Sequence, residues 1–528
     1  MKNKEILYLI TLFLSFVLLS QLVNFVNQKN ILNSPDEVSN YIIMKEYAIN
    51  GVMYLSDIPY IELDNNNLLH QRGFLTWNNK VVPFNYFGFP FFYGPFYNFL
   101  GENLKYILVG IDVLILLFIL YSLYYIFYNE KMKLYSTSLF ILLTPIIFYL
   151  NLFYFNITGN ILFFLLFFLY LIKFDKTGDK KNLYLSALFA SIAIFFRYES
   201  IIFVFLVFII SILNNIKFYK NLNNKIITLF KLFLIFTLSF VIPLLILNYK
   251  TYGNPLIYGY SLFNKLYFPN ERTGSIFVSI KNILFPSRVF SLTTFFNNIN
   301  SVVLIFSYLF FAILIFGLLS KHSNKIISYL FLILYFLVYN GMNPDTYLSG
   351  SGILTLAFSV LRYWMLIFPF VLMPVIYYFN QKNLNKILKV SLISFLLINS
   401  ILLITVNSKN SSVIYYKNYF LQVQKNKEIL SNLTNSSDYL ITSVNGKLYY
   451  DQINIISWWG GPTQSQSDLF FNATHIANIS KLLISKNHSV YYLADKYNSK
   501  YVSYLENQNL TFSEIPQFKG LYKITINQ

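Results

Sequence analysis

Apolar residues run along this chain in long unbroken blocks, each closed by a short polar stretch. The first, at 6–26, follows "MKNKE". Others lie near 105–128, 135–152, 158–173, 183–197, 201–216, 231–248, 301–320, 325–340, 363–379 and 388–406. Blocks of roughly 16–24 residues are long enough to cross, or nearly cross, a hydrocarbon core as helices. The pattern therefore predicts a mainly α, polytopic membrane protein with about eleven transmembrane helices. The first block exceeds a signal-peptide core and no small-x-small cleavage site follows it, so it reads as a retained anchor. Beyond residue 407 the pattern changes. Strand-like runs ("DYLITSV", "SVYYLAD", "LYKITI") alternate with a helical stretch near 473–485. This predicts a small α/β domain over 407–528, behind a membrane domain over 1–406.

Composition agrees. Of 528 residues 56% are hydrophobic and 12% charged, too apolar for a soluble chain of this length. Cysteine is absent, which excludes disulfides, thiolate metal sites and cysteine nucleophiles. His70, His322, His475 and His488 form no metal-binding spacing, so no metal ligand set and no cofactor is expected, although a divalent ion is left open. The net charge of +18 comes largely from lysines in short loops: "NEKMK", "KFDKTGDKK", "KFYKNLNNK", "KHSNK" and "NQKNLNKILK". Lysines so placed are orientation signals rather than a nucleic-acid surface. They predict a multi-pass plasma-membrane protein with a cytoplasmic N-terminus and an extracytoplasmic C-terminal domain. Loops 27–104, 249–300 and 341–362 then lie outside. The tail carries Asn-x-Ser/Thr sites at Asn410, Asn432, Asn435, Asn472, Asn478, Asn487 and Asn509. These suit an exported surface or reflect Asn/Ser-rich composition alone.

"NSPDEVSN" (33–40) then places Asp36 and Glu37 outside, just beyond the first helix. Apolar residues from Ser34 to Asn50 recur at helical spacing and predict an amphipathic helix on the membrane surface. The two acids admit two readings. They cap that helix and favour its dipole, or they serve chemistry at the interface. The aromatic, Gly- and Pro-rich stretch "HQRGFLTWNNKVVPFNYFGFPFFYGPF" (70–96) reads as a packed, non-helical cover over a cleft.

A long first outer loop with "PDE", then "HQRG", then "NNKVVPFNYFGFPFFYG" resembles membrane glycosyltransferases of the GT-C type. The likeness is to the family 39 group of protein O-mannosyltransferases and bacterial aminoarabinose transferases. It covers about residues 1–406 and is strongest in the first loop. It implies transfer of a sugar from a polyprenyl (dolichyl- or undecaprenyl-) monophosphate to a protein, lipid or glycan acceptor on the extracytoplasmic face. By position Asp36 matches the family's catalytic acid. Such a carboxylate takes the acceptor's proton as the hydroxyl attacks and inverts the anomeric carbon. Glu37 would orient it or bind sugar hydroxyls. Some relatives carry a second acid in the loop after the third helix, where this chain reads "NLFYFNITGN" with Asn156 and no carboxylate. That departure counts against a metal-bridged site.

A lipid phosphate calls for cations at outer helix ends. Arg72 in "HQRG", Arg197 in "FFRYES" and Arg362 in "VLRYWMLIFPF" are the candidates, each of which could equally snorkel to headgroups. Glu199 stands beside Arg197. Asp112 lies inside the second block, where an acid is a functional suspect or a structural partner for an arginine. Lys265, Arg272 and Arg288 are weaker. "NYKTYGNPLIYGY" (248–260) is similar to a family segment that lines the lipid, and also reads as an interfacial aromatic belt. Trp458 and Trp459 in "SWWGGPTQS" could stack a sugar or fill a turn. A lipid-linked sugar flippase or polysaccharide exporter is the competing function. It should show internal repeats and charges at mid-membrane, and none is evident here.

Overall fold

The computed structural model describes residues 35–56, 73–104, 110–112, 115–119, 156–198, 200–214, 222–259, 261–262, 413–435, 437–442, 454–457, 466–494 and 501–527, with isolated positions besides. Apart from such positions, the blocks at 6–26, 135–152, 301–320, 325–340, 363–379 and 388–406 lie outside them, and that at 105–128 lies mostly outside. The chain forms two compact units. One comprises Met1–Val26, Glu102–Leu245 and Phe277–Lys417; the other comprises Asn27–Gly101, Ile246–Ile276 and Asn418–Gln528.

Helix α1 spans Pro35–Asn50. Proline opens it, where a missing N–H costs nothing, and Asp36 and Glu37 occupy its first turn. Gly51, at φ +68, ends it by donating its N–H to the Tyr47 carbonyl at 3.1 Å. The expected helix is present, but its surface is not one-sided. Glu37, Val38, Ser39, Asn40, Tyr41, Ile43 and Met44 are all buried, so its first half is enclosed rather than laid on a surface. Strands β1 (Phe74–Trp77) and β2 (Lys80–Pro83) follow as an antiparallel hairpin with Trp77 opposite Lys80. Asn78 and Asn79 form its turn at φ 49 and 55, the left-handed pair of a type I′ hairpin. Leu55 pairs with Val81 through two backbone hydrogen bonds.

Helix α2 (Gly88–Leu100) overturns the expectation of a non-helical cover. Pro90 sits in the first turn, where its N–H would have no partner inside the helix. Pro95 lies within the helix and forfeits one bond, which contact with α1 offsets. A Cβ on Gly94 would stand 2.8 Å from Tyr47 Cδ1, so glycine is what lets the two helices meet there. Asn98 donates to the Ala48 carbonyl at 2.8 Å, and Tyr41 and Tyr97 meet edge to face.

Helices α3 (Asn156–Thr177), α4 (Lys180–Phe196) and α5 (Ser200–Asn214) match three expected blocks. Asn156 begins α3, so the stretch 156–160 read above as loop is helical. Gly178 at φ +69 turns the chain between α3 and α4, and the Asp179 carboxylate caps α4 at the Lys181 N–H, 3.0 Å away. A Cβ on Gly159 would lie 2.4 Å from the Phe196 ring, so α3 and α4 pack in close contact. Asn160 ties the pair to α5, donating to the Ala193 carbonyl at 2.7 Å and to Ser200 Oγ at 2.6 Å.

Helix α6 (Leu222–Phe236) continues through a π turn (Thr237–Val241) into α7 (Ile242–Tyr252). The π turn stands directly before Pro243, which removes a donor from the ladder. Ile242 reaches back five residues to the Thr237 carbonyl instead. Ile227, Phe230, Leu234, Leu238, Ile242, Ile246 and Tyr249 form an exposed apolar stripe at spacings of three and four. Among the described residues, Asn156–Thr177 and Ile227–Tyr252 are long and apolar enough to cross a membrane.

Helix α8 (Val413–Leu433) precedes the five-stranded sheet of the C-terminal domain. Its strands are β3 (Tyr439–Thr442), β4 (Asn454–Ser457), β5 (Val490–Leu493), β6 (Leu510–Glu514) and β7 (Leu521–Ile526). Helix α9 (Gln466–Ser485) connects β4 to β5, and α10 (Tyr501–Glu506) precedes β6. The order is β4-β3-β5-β7-β6, parallel across the first three and antiparallel beyond. Tyr439, Ile441, Ile456, Val490 and Tyr492 pack with Ile476, Ile479 and Leu483 of α9. The alternate residues of β3 and β5 are also buried, as strands covered on both faces require. Asp438 ties the starts of β3 and β5 together, accepting from the Asn435 N–H at 2.9 Å and the Ser489 N–H at 3.1 Å. The α/β class expected from sequence is present. Asn432, Asn435, Asn478, Asn487 and Asn509 are exposed, while Asn410 and the Asn472 side chain lie outside the described residues.

Candidate active site

The first turn of α1 brings Asp36 and Glu37 together in different surroundings. Asp36 is half-buried and keeps a solvent-facing side; Glu37 is 1% exposed. A hydrogen-bonded strut fixes that turn. Asn85 Nδ2 donates to Ser39 Oγ, and Ser39 Oγ donates to the Asp36 carbonyl at 3.2 Å. Ser39, Asn40 and Asn85 are all buried, so the acid-bearing turn sits on a polar lining that sequence periodicity did not reveal. The one signal for it is a lone Asn85 within the otherwise apolar "VVPFNYFGF". A partly buried acid on such a turn is more accessible to an incoming hydroxyl than a sealed one. A carboxyl buried like that of Glu37 cannot reach one without the helix moving.

The segment 248–260 anchors the hairpin beside this turn. Trp77 Nε1 donates to the Tyr252 carbonyl at 2.9 Å, and Tyr252 Oη donates to the Pro83 carbonyl at 2.7 Å. The Tyr252 ring packs on Phe87 at 5.8 Å between centroids. A Cβ on Gly259 would fall 2.3 Å from Phe84 Cα, so backbone meets backbone there. Tyr252 and Tyr258 are 1% and 8% exposed and Tyr249 is open, while Tyr260 lies outside the described residues. Of the tyrosines read as an interfacial belt, Tyr252 instead clamps the first loop. Lys80, at the hairpin turn, lies 3.9 Å from the centroid of the Tyr54 ring.

Arg197 and Asp112 belong to the other unit. Arg197 follows α4 in extended conformation, 8% exposed, and its carbonyl accepts the Ser200 N–H that starts α5. Asp112 is 9% exposed in a helical stretch. Both polar groups are therefore drawn inward rather than snorkelled to the surface. Arg72, Glu199, Arg362, Lys265, Arg272, Arg288, Trp458 and Trp459 lie outside the described residues. Among the described residues, no three His, Cys, Asp or Glu gather in a metal-holding group.

No protein-family model matches the chain, and no curated protein matches its sequence. Its fold, however, is matched among solved structures. The crystal structure of ArnT from Cupriavidus metallidurans bound to undecaprenyl phosphate superposes with a TM-score of 0.56 at 10% identity, covering 99% of this chain and 98% of that one. The same protein in the apo state gives 0.48 at 10% identity, with 97% of each chain covered. ArnT is a GT-C aminoarabinose transferase. Over nearly its whole length, this chain shares the fold of ArnT.

Proposed function

We propose that the protein is an integral-membrane glycosyltransferase that moves a sugar from a polyprenyl monophosphate to a hydroxyl acceptor on the extracytoplasmic face. The observation that carries this reading is the full-length fold likeness to a transferase captured with undecaprenyl phosphate. Asp36 is the general base. The acceptor oxygen attacks the anomeric carbon as its proton passes to the Asp36 carboxylate. The bond from that carbon to the phosphate oxygen breaks with its electron pair, and the lipid phosphate leaves as an anion. One displacement of this kind inverts the anomeric centre.

The half-exposed setting of Asp36 supports this role, and its strut of Ser39 and Asn85 supplies the fixed geometry that proton transfer needs. Glu37, enclosed one residue on, is a positioning residue. Arg197, with Arg72 and Arg362, supplies positive charge toward the lipid phosphate. Glu199 and Asp112 complete the donor-binding set. The N-terminus lies in the cytoplasm and the C-terminal domain outside, as the lysine-rich loops indicate.

Transfer from a radiolabelled polyprenyl-phosphate hexose, in membranes carrying the wild-type chain or Asp36→Asn, tests this. The substitution should lower the transfer rate ~10²–10⁴-fold with expression and donor binding unchanged. Equal rates would leave Asp36 as a helix cap. Absence of transfer by the wild type across several donors would favour the flippase or exporter.

A further inference from the structure

Arg197 stands in the short connection between α4 and α5, and its neighbours are pinned. Its N–H donates to the Ala193 carbonyl at 3.2 Å, and its carbonyl accepts the Ser200 N–H at 3.0 Å. Asn160 of α3 brackets it, donating to the Ala193 carbonyl before it and to Ser200 Oγ after it. Phe196, directly before it, stacks on Phe163 of α3 at 5.7 Å between centroids. A second clamp comes from the long helix that joins α6 to α7. Phe240 meets Phe195 edge to face at 6.2 Å between centroids, and meets Tyr198 edge to face at 6.2 Å. One buried ring thus holds the chain both before and after Arg197.

Phe240 reaches this place through the π turn Thr237–Val241, in which it lies. Thr228 and Leu244, on either side of that turn, are both buried. In a regular helix their separation would set them about 160° apart. The π turn takes up one extra residue, about 100° of rotation, and brings the later residues back toward the packed side. Both α6 and the π turn pack on α4, which ends at Phe196. Phe236, one turn earlier, backs the Phe240 ring at 5.2 Å between centroids. Such turns are rare and are frequent at functional sites.

An arginine gives up much rotamer freedom when it is ordered on an anion. A backbone fixed on both sides sets where its stem begins and lowers that loss. We propose that Phe240, aimed by the π turn, is a positioning residue for Arg197. It holds the α4–α5 connection so that the guanidinium meets the phosphate of a polyprenyl monophosphate. This rests on the transferase reading, in which Arg197 serves that phosphate.

Binding of radiolabelled undecaprenyl phosphate to the full-length protein in detergent tests the proposal. Phe240→Leu keeps an apolar side chain and removes the ring. It should weaken binding about tenfold, the scale of one hydrogen bond to a charged group. Arg197→Gln should weaken binding at least as much. Adding Phe240→Leu to Arg197→Gln should cost nothing further, because a positioning residue acts only through the group it positions. Phe167→Leu, in a ring pair with Phe208 that does not flank Arg197, should bind like the wild type. Three results overturn the proposal alone: undiminished binding in Phe240→Leu, a further loss in the double variant, or an equal loss in Phe167→Leu. A wild type that binds no better than Arg197→Gln removes Arg197 from the donor site, and the proposal falls while the transferase reading stands. A wild type that binds no undecaprenyl phosphate counts against both. Should Phe240→Leu fail to fold, Phe240→Met is read by the same comparisons.

Discussion

Asp36 and Glu37 are adjacent in sequence, yet one keeps an open side and the other is sealed. A helix turns 100° per residue, so neighbours never share a face. This difference separates the two acids more sharply than their letters can. The pair was legible in sequence because an acidic dipeptide just beyond a long apolar block is unusual. The strut of Ser39 and Asn85 was not, because a side-chain bond across 46 residues leaves no periodic trace. The same holds for Tyr252, whose hydroxyl donates to the Pro83 carbonyl and accepts the Gly259 N–H. Tyr252→Phe should leave both backbone groups unsatisfied and lower stability by about 1–3 kcal/mol, read as a drop in denaturation midpoint. An unchanged midpoint would mean that water replaces the phenol.

At the scale of elements, α3, α4, α5 and the long helix from 222 to 252 fall where apolar blocks lie, because a long apolar run favours a helix. Helix α2 was missed because Gly and Pro were read as breakers. In fact Pro90 sits at a helix start and Gly94 is a contact point. Helix α8 escaped because its sequence is polar; among the described residues, Val423, Lys427 and Leu430 are its buried positions. Strand β4 is a four-residue strand that owes its place to pairing with β3 rather than to any pattern of its own. Close contacts give the sharpest test. Gly259→Ala should push a methyl into the backbone at Phe84, which cannot rotate aside. It should expose the hairpin to limited proteolysis while leaving the helices intact. Gly159→Ala meets the Phe196 ring instead and should cost about 1–3 kcal/mol of overpacking. A protease pattern identical to wild type in Gly259→Ala would refute the clamp.

For the whole molecule, the sequence pattern marks a change of character near residue 407. A boundary drawn along the chain, however, cannot express a unit assembled from 27–101, 246–276 and 418–528. That grouping depends on contacts between distant segments, which periodicity does not encode. The C-terminal domain also carries a global pH signature. Burial raises the phenols of Tyr439, Tyr449 and Tyr491 above their usual value of 10.0, and for Tyr491 the charge on Asp438 adds to the effect. The folded state thus holds these protons more tightly than the unfolded chain. Its stability is fully present below pH 10 and falls as the pH rises through and beyond that value. Thermal melts should therefore be level up to about pH 9 and drop by about pH 11, with less of a drop in Tyr449→Phe. A melting temperature independent of pH over that range would contradict the buried setting of these rings.

The bond from Trp77 to the Tyr252 carbonyl joins residues 175 positions apart. A ribosome adding about 5–20 residues per second makes Tyr252 roughly ten to thirty-five seconds after Trp77. Throughout that interval the hairpin exists without its clamp, and its indole N–H and the Pro83 carbonyl must be held by water or by a helper protein. The first loop is therefore among the last parts of the amino-terminal half to mature, although it is among the first to be made.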